Sequence, residues 1–197
     1  LLLSGCGRAL SVDAWRARRR GLDARAYAPV ARWPRIALVA QMGFLYFGSA
    51  LMKASSGWVP GGDASALWYI VHQPLWARFT DWPTWLYPVT QAATTSVWLF
   101  EILGLVFVLS VIVHEAPSTS RLRTSLVGRA LERTRFRTIY LLFGVAMHLG
   151  IEATMEVGAF TGASLALYAC AVAPSEWRTL FEQFVARVRR SRSSTGS

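Results

Sequence analysis

Residues 32–53 read RWPRIALVAQMGFLYFGSALMK, and this stretch decides the fold. Two arginines flank Trp33-Pro34, an apolar run begins at Ile36, and the run closes on Lys53. A bilayer core takes about 20 mostly apolar residues in helix, because lipid offers no partner to an open backbone. Proline in the first turn suits a helix start. The stretch therefore predicts a membrane-spanning helix over residues 36–53.

Three further runs of the same kind follow, at 90–113, 138–155 and 157–173. The last two lie so close together that they form a tight antiparallel hairpin. The chain opens on Leu1-Leu2-Leu3 without a charged segment ahead of it. That start reads as the inside of a hydrophobic helix and not as a signal peptide, so a clipped N-terminal span, with helices missing before it, is expected. The predicted class is an all-α, multi-pass transmembrane helical bundle: four full spans, a clipped one and interfacial amphipathic helices. The expected units are a membrane domain over 1–175, an amphipathic helix over 176–190 and a disordered tail over 191–197.

Composition agrees, with 53% hydrophobic residues, 16% charged and nine tryptophans. A soluble domain carries roughly a quarter charged residues. The net charge of +10 raises nucleic acid as a partner, since basic surfaces neutralise phosphates. The distribution argues against it, because the arginines are clustered between the apolar runs. Residues 11–35 hold seven, 114–137 hold six and the tail from 174 holds five, whereas 54–89 hold Arg78 alone and the turn near Glu156 holds none. Such alternation follows the positive-inside rule. It places the first loop, the 114–137 loop and the C-terminus in the cytoplasm, and the 54–89 loop and the Glu156 turn outside a bacterial plasma membrane. The lipid bilayer is the expected partner; nucleic acid is not.

The outer loop carries Trp58, Trp68, Tyr69, Trp76, Trp82, Trp85 and Tyr87 among prolines and glycines. Amphipathic aromatics of this kind favour the headgroup region, and a short helix is expected over 64–71. In the tail Trp177, Leu180, Phe181, Phe184, Val185 and Val188 form one helical stripe, with Arg187, Arg189 and Arg190 suited to anionic headgroups. Cys6 and Cys170 show no metal or redox spacing. Gly158, Gly162, Ala166 and Cys170 recur every four residues, a small-residue stripe that lets a neighbouring helix approach closely.

Ionisable residues inside spans are the candidates for function, because each is costly in lipid unless paired or hydrated. They are Lys53, Glu101, His148 and Glu152. Lys53 is the one lysine beside twenty arginines, and a lysine, unlike an arginine, can lose its proton and act as a base. It can also simply snorkel to the interface from a helix end. Gln41, Ser49 and Lys53 share a helix face, with Tyr46 seven residues before Lys53. Gln91, Thr94 and Glu101 make a second polar line. His148 and Glu152 stand at i and i+4, within reach of each other, and can form a structural pair. A zinc site lacks a third ligand, so no metal is expected. His72 and His114 read as loop and helix-end residues.

These residues also carry a likeness. Leu10-Ser11-Val12-Asp13, then Phe44 through Lys53, then Trp58-Val59-Pro60-Gly61-Gly62, and then Met147-His148-Leu149-Gly150 with Phe160 twelve residues after the histidine, resemble the HTTM family. This is the membrane domain shared with vitamin K-dependent gamma-glutamyl carboxylase, and the likeness runs from about residue 1 to 175. It implies that Lys53 matches the lysine that deprotonates reduced vitamin K, or another quinol, before a glutamate is carboxylated. His148 and Glu152 would assist, and Tyr46, Trp58 and Glu101 would line the cofactor site. The carboxylase histidine expected within residues 5–10 has no counterpart; Arg8 is the ionisable residue there. No segment after the bundle matches the carboxylase's large extramembrane domain.

Three functions follow as expectations. The first is an enzyme acting on a membrane-soluble quinol or a secreted peptide or protein substrate at the outer face. The second is a non-enzymatic partner in the maturation of, or immunity to, a secreted peptide toxin, as short bacterial members of the family suggest. A transporter ranks last, because Glu101 alone lies near mid-membrane and the sequence marks no broken helix pair.

Overall fold

The computed structural model describes residues 12–21, 31–79 and 81–194. The clipped span expected at the N-terminus lies outside them. The described residues are helical throughout, apart from turns and one isolated bridge between Ala77 and Met155. The helices are α1 (Val12–Arg19), α2 (Trp33–Met52), α3 (Ala66–Val71), α4 (Tyr87–Ile102), α5 (Gly104–Glu115), α6 (Arg121–Thr124), α7 (Leu126–Arg133), α8 (Phe136–Thr154), α9 (Phe160–Ala171) and α10 (Pro174–Ser194). A single 3₁₀ turn, Thr84–Leu86, leads into α4.

Two helices, α2 and α8, are long and apolar enough to cross a bilayer, and α4 with α5 makes a third if the bent pair is one span. That is fewer than the four full spans expected. The shortfall is α9, whose 12 residues reach only about 18 Å at 1.5 Å per residue, well under a hydrocarbon core of about 30 Å. Extended backbone at Val172 and a left-handed turn at Gly158 shorten it from either side.

The run 90–113, expected as one straight span, is broken at Leu103 by a bend of 51°. Glycine explains the position. A Cβ on Gly104 would lie 2.7 Å from the Gly43 carbonyl oxygen, and one on Gly43 would lie 2.8 Å from that of Gly104. The backbones of α2 and α5 meet where neither carries a side chain, and a helix redirected at glycine makes the contact possible. A broken helix therefore exists where none was marked, though it is one and not the pair that transporter sites use.

The core forms around α2, which packs against α4, α5 and α9, while α8 packs on α5 and α9. Tyr140 lies between Phe100 and Phe107, with ring centroids 4.1 and 4.4 Å away, and its hydroxyl donates to the Phe100 carbonyl. Val39, Met42 and Val111 complete this centre. Much of the apolar surface faces outward instead: Phe44 is 63% exposed and Leu142 66%.

The two ends of the bundle differ in chemistry. At one end Arg35 pairs with Glu115 and donates to the Cys170 carbonyl, and Arg137 pairs with Glu176 and donates to the Ala171 carbonyl. At the other, Arg78 and Glu156 N–H groups bond across the Thr154 and Trp76 carbonyls, tying the aromatic loop to the α8–α9 turn. The loop and turn expected on one side of the membrane thus share an end. The short helix expected over 64–71 forms as α3. The tail helix continues to Ser194, through 191–194, which had been expected to be disordered; residues 195–197 lie outside the described set.

The small-residue stripe of α9 does not pack as expected. Gly158 and Gly162 have open space where a side chain would project, and Ala166 is exposed. The opposite stripe, Thr161, Ser164, Tyr168 and Ala171, is the buried one. Tyr168 supplies the reason: it reaches Gly144 of α8 so closely that a Cβ there would sit 2.7 Å from its ring. A large polar-tipped residue with a hydroxyl partner holds the helix by that face.

Candidate functional site

Away from the arginine end, α2, α3, α4, α8 and α9 enclose an apolar cavity of about 410 Å³. Lys53, Tyr46, Trp58, Glu101 and His148 all line it. Five of the six side chains selected from the sequence therefore meet in one space. Glu152 does not. It turns outward to Arg78, 3.6 Å away and with both side chains well exposed, so the expected His148–Glu152 pair is not formed.

Each cavity residue is set by its helix. Lys53 caps the C-terminus of α2, its N–H bonding to the Ser49 and Ala50 carbonyls. From there its side chain folds back into the bundle. Nζ meets Glu101 Oε1 at 2.5 Å, and Ser49 Oγ, one turn earlier on α2, donates to the same oxygen at 3.3 Å. Lys53 does not snorkel away; it is held by a carboxylate that is only 7% exposed. The turn after Lys53 then brings Trp58 alongside, its ring centroid 4.5 Å from Nζ, close enough for a cation–π contact. That turn is tight: Gly61 is left-handed, and a Cβ on Gly62 would collide with the Ser56 carbonyl.

A second polar group stands across the cavity. His148 Nε2 and the Tyr46 hydroxyl are 2.9 Å apart, and the Tyr46 hydroxyl is 2.7 Å from that of Tyr168. His148 is fully buried, its carbonyl accepts from Thr161 Oγ1, and its ring lies 5.0 Å from that of Phe160. The twelve-residue spacing noted in the sequence thus becomes a contact across the α8–α9 hairpin. Tyr168 was not selected from the sequence. The available signal was a lone hydroxyl in an apolar run, which needs a partner once buried.

Two buried polar atoms at the cavity have no partner among the described residues: Glu101 Oε2 and His148 Nδ1. Buried polar atoms are nearly always satisfied, and one left open marks a place for a ligand or water. The cavity lies within the roughly 300–1,000 Å³ of small-molecule sites, which are mostly apolar with a few placed polar groups. It suits an apolar molecule carrying hydroxyl or carbonyl groups. Among the described residues no three His, Cys, Asp or Glu side chains converge as metal ligands would.

The other histidines divide. His72 bonds through Nδ1 to the Trp68 carbonyl, one turn back on α3. His114, read as a plain helix-end residue, instead lies between Glu132 at 3.1 Å and Glu176 at 3.3 Å, beside Arg137. Glu176 accepts from both guanidinium nitrogens of Arg137 and from the Ala173 N–H, and these bonds, the Arg137 bond foremost, hold its carboxyl down at about 2.

Comparison with known proteins finds no family model, no curated protein and no solved structure that matches the chain.

Proposed function

We propose that the chain is a multi-pass plasma-membrane protein, with its arginine-rich end and C-terminus cytoplasmic, whose cavity takes a quinol from the bilayer and uses Lys53 as a base. The reading joins the HTTM resemblance to one observation: the lysine, glutamate, histidine, tyrosine and tryptophan picked from the sequence line a single apolar cavity. Membrane residence is supported by α2 and α8, which are apolar and long enough to span while burying little of their surface. Large apolar side chains left outward-facing in this way are a feature of lipid-exposed bundles. A return of the chain to the arginine end after α8 is supported by α9, which packs beside α8 at His148 and meets Arg137 through Ala171.

A bound quinol, reduced vitamin K or another, would supply an ionisable ring hydroxyl. For Lys53 to accept that proton its ammonium must first give one up, and Glu101 is the group bonded to Nζ. With the ammonium proton taken up by Glu101, the quinol proton then moves from the hydroxyl oxygen to Nζ, and the new ammonium lies between the protonated Glu101 carboxyl and the Trp58 ring. His148, fixed by Tyr46 and Tyr168, faces the same space and can bond a second ring oxygen. Such a base is effective because the cavity is mostly apolar and the charged partner is preorganised.

The test is oxidation of a reduced quinone by dissolved oxygen in the presence of the purified protein in lipid, comparing wild type with Lys53→Arg. Arginine keeps the positive charge but cannot serve as a base. Turnover that drops by about 100-fold or more in the variant supports the reading. Equal turnover in both forms removes Lys53 as the base. No turnover in either, with the fold intact, favours the non-enzymatic membrane partner that matures, or protects against, a secreted peptide.

A further inference from the structure

At the arginine end the bases outnumber the acids, and Glu182 of α10 is exposed without a basic partner among the described residues. Glu115 pairs with Arg35, Glu132 with Arg123 and Glu176 with Arg137. Among the described residues Arg121, Arg129, Arg133 and Arg135 are exposed and have no carboxylate partner. The same end leaves apolar residues uncovered. Leu126 of α7 is 78% exposed, and it shares a helix face with Arg129 and Arg133, three and seven residues on. In α10 the stripe of Trp177, Leu180, Phe181 and Phe184 is exposed along its length, Phe181 to 68%. Trp177 Nε1 donates to the Ala169 carbonyl and Arg137 holds Glu176, so the start of α10 is fixed to the bundle at this end.

We propose that α7 and α10 form a collar that binds anionic phospholipid, the apolar stripes entering the edge of the acyl layer and Arg129, Arg133 and Arg135 meeting headgroup phosphates. The proposal rests on the membrane reading above but not on the chemistry of the cavity. Apolar side chains interleaved with unpaired arginines at the mouth of lipid-crossing helices match an anionic leaflet surface in both chemistry and depth. A second copy is a poorer occupant, because it would set one arginine collar against another. Arg135 stands at the edge of a nearby recess of about 360 Å³ that Arg137, Glu132 and Glu176 also line; the two glutamates disfavour a phosphate inside it, so the headgroups are assigned to the exposed faces.

The experiment uses the full chain reconstituted in vesicles of phosphatidylcholine, or of equal parts phosphatidylcholine and phosphatidylglycerol. With Cys6→Ala and Cys170→Ala in place, a polarity-sensitive dye is attached through Phe181→Cys or, on the opposite face of α10, Thr179→Cys. Spin-labelled lipids report which headgroup the protein retains. We expect the dye at 181 in an apolar setting and that at 179 in water. Phosphatidylglycerol should be retained over phosphatidylcholine, by a factor that falls roughly twofold or more for each of Arg129→Gln, Arg133→Gln and Arg135→Gln, and again in high salt.

A dye at 181 that reports water in a bilayer-integrated protein overturns the collar and leaves the spans standing. A headgroup preference unchanged in the triple variant overturns the arginine–phosphate contact. A signal at 181 that tracks protein concentration instead of lipid overturns the proposal in favour of a second copy. Extraction of the protein from vesicles by alkaline carbonate brings down the membrane reading itself, and the collar with it.

Discussion

Lys53 and Glu101 show how two costly residues become tolerable together. Either charge alone would be poorly solvated beside an apolar cavity, whereas the bonded pair with Ser49 and Trp58 satisfies most of both. Removing one partner should therefore hurt more than removing both. Lys53→Met is expected to destabilise the protein by about 3 kcal/mol, at the lower end for a broken buried pair because Lys53 keeps some access to solvent. Lys53→Met combined with Glu101→Leu should recover most of that loss, as read from thermal unfolding in detergent. A double variant as unstable as the sum of its parts would mean the two residues do not act as a pair. The sequence marked both residues from their cost in lipid but could not join them, since they lie 48 positions apart on different helices. It joined His148 to Glu152 instead, because i and i+4 share a face; Tyr46 and Arg78 offered each of them a better partner from elsewhere in the chain.

Among the elements, the bend between α4 and α5 depends on two glycines. Gly43→Ala would put a methyl against the Val108 side chain and the Gly104 carbonyl oxygen. The valine can rotate away but the backbone cannot, so a loss of about 1–3 kcal/mol in stability is expected, with the bend altered. Gly162→Ala, which meets nothing, is the control and should raise stability slightly, by up to about 1 kcal/mol from helix propensity. The start of α10 makes a separate prediction. Glu176 is held well below the usual carboxyl value of 4.5, first by its bond to Arg137. A carboxyl with a depressed folded-state value stabilises fully above its unfolded value and loses that contribution as the pH falls. The melting-temperature gap between wild type and Glu176→Gln should thus be largest near neutral pH, narrow below about 4.5 and close towards about 2. A gap that stays constant across that range would show that the bond does not depend on the carboxylate charge.

For the whole molecule, the distribution of arginine predicts an orientation. Cysteine placed at Ser120, beside α6 at the arginine end, should react with an impermeant thiol reagent only after the cells are opened. Cysteine at Ser55, in the aromatic loop of the opposite end, should react in intact cells. The reverse pattern would invert the molecule in the membrane. It would also move the cavity mouth, since Lys53 and Trp58 lie at the same end as Ser55. The assignment follows from the charge excess near span ends, which sets orientation during insertion and leaves no mark on the packing of the folded helices.

By itself the sequence determined the helical class, the position of most helices, the separation of an arginine end from an aromatic end, and five of the side chains that meet at the cavity. Composition and periodicity are local properties, and they suffice to say which residues share one face of one helix. The tertiary structure alone decided which faces meet. It put Tyr168 and not the glycine stripe of α9 into the core, closed Lys53 onto Glu101, turned Glu152 out to Arg78 and bent the strongest apolar run at Gly104. Each of these outcomes is a competition between partners far apart in the chain, settled by close packing and by the need of every buried polar group for a partner.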